Sequence, residues 1–200
     1  MAFLNVTYIS VPGATATAVT GIDAAGDIVG TFSANGVDHG FIDRGGVFTI
    51  VDAPGLPGAA ATGAVVAGVS TSGVLFGTFA TGGGDPTGAG NHGFTDNAGV
   101  FTTIDVPGQL EIHLAGVDPA GDVVGTENPS GQGAAFDGFV DKAGAFSIVN
   151  IAGGNDTQLL GVNDAGVAFG TGLNGGVLVT DTTGVVSALS VPGAETTPLV

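Results

Sequence analysis

The chain has 200 residues, of which 39 are glycine, two are lysine or arginine and 18 are aspartate or glutamate, giving a formal net charge of -16. That balance excludes a nucleic-acid or anionic-membrane partner, because both need a cationic footprint. No cysteine is present, so disulfides and thiolate chemistry are excluded. No stretch is apolar for long enough to predict a membrane span, and the first residues, Met1-Ala-Phe-Leu-Asn5, lack the basic start of a signal peptide. The apolar content of 44% is too high for a disordered chain, and the glycines follow no three-residue period, which excludes collagen.

In chain order, residues 3–11 read as a strand that stops at Pro12-Gly13, and residues 15–22 read as the next one. Asp23-Ala-Ala-Gly26 is a turn, and Asp27–Phe32 is the returning strand of a hairpin. Residues 33–38 read as a polar loop. His39–Asp43 opens a third strand, and Arg44-Gly45-Gly46 turns it into a fourth, Val47–Asp52.

The pattern then recurs. The line Gly46-Val-Phe-Thr-Ile-Val-Asp-Ala-Pro-Gly55 returns at Gly99–Gly108, at Gly144–Gly153 and at Gly184–Gly193, and its second half opens the chain at Thr7–Gly13. A second line, Gly21-Ile-Asp-Ala-Ala-Gly-Asp-Ile-Val-Gly-Thr31, returns from Gly68, Gly116 and Gly161, at steps of 47, 48 and 45 residues. A third line closes each unit: His39-Gly-Phe-Ile-Asp43, His92-Gly-Phe-Thr-Asp96, Asp137-Gly-Phe-Val-Asp141 and Gly175–Asp181. Four short strands in a unit of about 45 residues match a propeller blade. The chain is therefore expected to be all-β, a four-bladed β-propeller with units at about 12–54, 55–107, 108–152 and 153–193, followed by a tail, 194–200. The loop between the second and third strands varies most in length (Thr81–Gly90, Glu127–Gly133 and Leu173–Gly175 in units two to four), which places the variable loops on one face, where repeat proteins often bind.

One count does not balance. Five segments carry the outer-strand sequence, namely 6–11, 47–52, 100–106, 145–151 and 185–191, and four blades need four. The opening segment, 1–11, is then a supernumerary terminal strand. Added to the edge of another copy, it would make the protein self-associate.

These three lines resemble the "HAF" repeat of bacterial extracellular proteins, over residues 7–193. The match is fullest in units one and three; Ser70 and Val74 depart from it in unit two, and Val177 and Ala152 in unit four. The resemblance implies a secreted or cell-surface protein of propeller-like repeats. It carries no enzymatic assignment, so a structural or assembly role comes first, a binding module for a divalent cation or an extracellular ligand second, and a hydrolase last.

The recurring acids are the first candidates for a site. Asp23, Asp118 and Asp164 stand at the hairpin turns, and Asp43, Asp96, Asp141 and Asp181 each precede a glycine by three residues. Calcium takes such carboxylates together with backbone carbonyls, and Asp85 in the longest loop is a further ligand of this kind. One acid per turn, however, is the pattern of an Asp capping its own backbone, not the dense ladder of a calcium loop. His39 and His92 share one repeat position and His113 stands apart, without the close spacing of a metal pair; a structural hydrogen bond is the expectation for the first two. No Gly-x-Ser-x-Gly elbow is present. Asp118 with Asp122, or Glu111 with Glu127, would be the carboxylate pairs for glycoside cleavage; Glu111 and Glu127 are the two that fall outside the repeat. The lack of tryptophan counts against a lectin. The Phe of Gly-Phe and Gly-Val-Phe are core positions, and the sequons at Asn5 and Asn155 carry no weight in a bacterial setting.

Overall fold

A computed structural model describes residues 6–82, 90–128, 136–150 and 157–172, and the backbone of 177–181 and 186–189. Asp85, Asn155, the side chain of Asp181, most of the variable loops and the tail lie outside these residues.

All regular structure among the described residues is strand. The first sheet contains β1 (Ala16–Ile22), β2 (Ile28–Ala34), β3 (Val37–Arg44) and β4 (Val47–Val51). The second contains β5 (Ala61–Val69), β6 (Leu75–Thr81), β7 (Asn91–Asn97) and β8 (Val100–Ile104). The third contains β9 (Glu111–Val117), β10 (Val123–Asn128), β11 (Asp137–Lys142) and β12 (Ala145–Val149), and the fourth β13 (Gln158–Val162), β14 (Val167–Thr171), β15 (Val177–Asp181) and β16 (Val186–Leu189). Each sheet is an antiparallel meander in sequence order. Each therefore has one end made of the two tight turns, and one end made of the β2–β3-type loop and the link to the next sheet. These are called the turn end and the loop end.

Two repeat glycines explain why these sequences pair so closely. Gly30 lies opposite Phe41, and a Cβ there would overlap both the Ala18 carbonyl oxygen and the Phe41 ring. Gly77 has the same relation to the Val65 carbonyl and Phe94. The aromatic ring on one strand thus lies over a bare backbone on the next, and the four-strand meander closes tightly around it.

The sheets pack face to face in sequence order. Val29, Ile42 and Val51 of the first meet Ala64, Val66, Phe79 and Phe94 of the second. Ile104 and Val106 meet Ile112, Leu114 and Phe139, and Val124, Val140 and Val149 meet Leu159 and Ala168. The first strands come together, with β5 touching β1 and β9, and β9 touching β13. The fourth strands are the outer ones.

Two expectations are corrected. Residues 6–15 contain no strand. The Val11 amide donates to Thr17 Oγ1 at 3.2 Å instead of to a ladder, and Val11 is buried against Phe32 and Phe41. Ala53 and Val106, the equivalent residues of the later Pro-Gly segments, pack on the second and third sheets in the same way. Residues 6–15 repeat the link between sheets and not the outer strand, so among the described residues each sheet has one outer strand. The stretch 33–38 is also not a loop. β2 and β3 run through it and join at Asn35-Gly36, both at positive φ (52° and 79°), the two-residue hairpin that Asn-Gly specifies.

Candidate functional site

The recurring acids, Asp164 apart, are occupied with their own turns. Asp23 Oδ1 accepts from the amides of Ala25 and Asp27, both at 2.9 Å, and Asp118 Oδ1 from Ala120 at 2.8 Å and Asp122 at 3.0 Å. Asp43, Asp96 and Asp141 accept from the amides of Gly46, Gly99 and Gly144, each at 2.6 Å. Asp164 accepts from Thr71 of the second unit at 2.9 Å. Among the described residues no group of three His, Asp or Glu could hold a metal ion. The caps matter for stability. Asp96→Ala removes the charged acceptor of the Gly99 turn amide and is expected to cost about 1–2 kcal/mol, read as a lower midpoint in urea unfolding.

The loop end is different. There, units one and two repeat a three-residue set. His39 stacks on Phe32 with ring centroids 5.1 Å apart and its Nδ1 lies 3.0 Å from both carboxylate oxygens of Asp52. His92 stacks on Phe79, again at 5.1 Å, and its Nδ1 lies 2.9 Å from Asp105 Oδ1. In unit three the equivalent residues are Glu127, Asp137 and Asn150. Ring, imidazole and carboxylate are replaced by carboxyl, carboxyl and amide.

Strand pairing fixes where Glu127 goes. It lies directly opposite Asp137 on β11 and opposite Ile112 on β9, so these three side chains share a face. Ile112 stands where unit two has Ala64, and its larger side chain takes up part of the room that a phenylalanine ring would fill. Glu127 is 2% exposed, and its Oε2 has no hydrogen-bond partner. Burial first, and the Asp137 carboxylate second, push its pKa up to about 7. The neighbouring Thr126 and Asn128 are also buried, which makes β10 buried along its whole length. No internal cation compensates. The two cations of the chain both sit at the turn end, Arg44 Nε 2.8 Å from Asp27 and Lys142 Nζ 3.4 Å from Asp122.

The pairs considered from sequence do not form. Glu111 lies opposite Asn128, one residue along from Ile112, and therefore points to the other face from Glu127; it bonds His113 Nε2 at 3.0 Å. Asp122 bonds Asp118 only through its backbone: its amide donates to Asp118 Oδ1 and its carbonyl accepts from the Asp118 amide, each at 3.0 Å. Asp137 is the acid that stands across the strands from Glu127, and the signal for it was present: an acid at the one repeat position where units one and two place histidine.

No family model and no curated protein sequence matches the chain. Among solved structures, a streptogramin B lyase is similar with a TM-score of 0.51 and 16% identity, over 92% of this chain and 57% of its own. The fold is of the propeller type. A gluconolactonase of Xanthomonas campestris is less similar, with a TM-score of 0.45 and 14% identity, over 84% of this chain and 59% of its own. This chain thus spans under three fifths of the length of either structure.

Proposed function

We propose that this chain is a propeller-type binding protein that takes a cationic ligand at the loop end of its third sheet, between Glu127 and Asp137. The carrying observation is the buried, unpartnered Glu127 Oε2. A buried carboxyl without a partner costs stability, and this one replaces a phenylalanine that would have cost none. A cation would supply the missing partner and would displace the proton that Glu127 holds near neutral pH. The structural or assembly role has less support, because residues 6–11, expected to act as the free strand, form no strand, and Val11 anchors them on the first sheet. Among the described residues, the outer edges for self-association are those of β4, β8, β12 and β16. An extracellular setting rests on the repeat resemblance alone.

The blade arrangement belongs to the same proposal. Thr71 and Asp164, from the hairpin turns of the second and fourth units, are hydrogen-bonded. Asp23 of the first unit lies beside Gly73 of the second. Turns of non-adjacent units meet only around a narrow axis, which supports four blades in one ring and not an arc of a wider one.

The test is thermal unfolding at pH 8 with calcium or methylammonium as the probe. A ligand that binds the folded state raises the melting temperature. At least one probe should do so in the wild type and neither in Glu127→Gln. If neither probe moves the wild type, or if the rise survives in Glu127→Gln, cation binding at this site is wrong.

A further inference from the structure

A cavity of about 350 Å³ opens at the loop end between the first and second sheets, lined by Val37, His39, Asp52, Ala53 and the segment 61–64. The repeat itself provides a control for it. Gly63 pairs with Ala80 and Glu111 with Asn128, so Thr62, Gly63 and Ala64 correspond to Leu110, Glu111 and Ile112. Where those larger residues stand, Ile112 is buried, the Asn91 side chain donates to its carbonyl at 3.3 Å, and His92 is 0% exposed. In the first unit the small residues leave the space open, and His39 and Asp52 keep 27% and 48% of their side-chain surface.

We infer that this cavity is a second binding site, for a small neutral ligand that carries hydroxyl groups on an aliphatic frame. The polar wall is fixed in direction. Phe32 holds the imidazole plane by stacking, and Asp52 accepts from Nδ1–H, which leaves Nε2 of the neutral ring as an acceptor for a hydroxyl. The Asp52 carboxylate accepts a second hydroxyl, and Thr62 can donate or accept. The remaining wall consists of Val37 and the alanines at 53, 61 and 64, which suits C–H surface. An anion would meet Asp52 and a net charge of -16, and is disfavoured. The site shares no residue with the Glu127 pair, so either can fail without the other.

The experiment is NMR of the histidine ring protons during titration with glycerol, myo-inositol and glucose, to about 10 mM, which fills most of a site with a millimolar Kd. At least one polyol should shift His39 while leaving His92 and His113 in place. Thr62→Leu copies the residue of the third unit at an exposed position, so the fold tolerates it; it should narrow the cavity and weaken the shift at least several-fold. His39→Gln should abolish binding as read from the alanine methyl signals. If no polyol moves His39 in the wild type, or if the shifts are equal in Thr62→Leu, the inference is overturned.

Discussion

Glu127→Leu should unfold at a higher temperature than the wild type at pH 8 and at about the same temperature at pH 4. Leucine keeps much of the volume and removes a buried carboxyl. The size of the gain follows from the titration. In the unfolded chain the group loses its proton near 4.5, and in the folded protein only near 7. Between those values the unfolded state binds fewer protons than the folded one, so the contribution of Glu127 to stability falls as pH rises. Below about 4.5 both states are protonated and nothing is lost; above about 7 the loss is complete. A rise from 4.5 to about 7, at about 1.4 kcal/mol for each pH unit, is on the order of 3 kcal/mol. Asp141 is also raised, first by burial, and adds a slope of the same sign to both proteins. The measurement is therefore the difference in unfolding free energy between wild type and variant, by urea at a series of pH values. A difference that stays flat from pH 4 to pH 8 would mean that Glu127 titrates alike in the folded and unfolded states, so that burial does not hold its proton. A gain in stability together with loss of cation binding would mark Glu127 as a group kept for function at the expense of the fold.

The second large effect concerns Gly77. Gly77→Ala is expected to destabilise by more than about 4 kcal/mol, enough to leave the chain unfolded or insoluble at 37 °C. The added methyl would overlap the Val65 carbonyl oxygen, which is backbone within the paired β5 strand, and press on the Phe94 ring. Neither can give way without opening the sheet. Gly30 and Gly125 face the same obstruction from Ala18 with Phe41 and from His113 with Phe139, so alanine at either should behave alike. Gly26, whose Cβ would meet nothing but whose φ is +88°, is the comparison: Gly26→Ala pays only for its backbone conformation, about 1–2 kcal/mol. Circular dichroism and urea midpoints of Gly77→Ala and Gly26→Ala separate the two causes. Equal losses would show that crowding at Gly77 is not what the repeat glycine avoids.

Local features of this protein were legible without a structure. Strand pairs, turn residues and the four-unit period follow from propensity and from glycine and proline positions, which act over a few residues. Hairpin caps such as Asp23 and Asp43 were legible for the same reason, since an Asx turn bonds its own backbone. The Asn35-Gly36 turn is also a local signal, and it fixes β2 and β3 through a stretch whose polarity suggests a loop.

The rest depended on what packs against what. Residues 6–11 have the sequence of an outer strand, yet a strand needs an edge to pair with, and here Val11 finds the Phe32–Phe41 surface instead. His39 and His92 share the His-Gly-Phe motif, and what packs over each, including the larger residues arriving from the next unit at His92, decides that one lines a cavity and the other is sealed. Glu127 stands out from the repeat in the sequence, but its lack of a partner is a tertiary fact. Strand pairing sets Asp137 and Ile112 beside it, while the two cations of the chain are held at the opposite end of the sheets. Sequence determined which residues can form each blade. Packing between blades, where burial removes water and leaves a charge to find its own partner, decided which of them are free to bind.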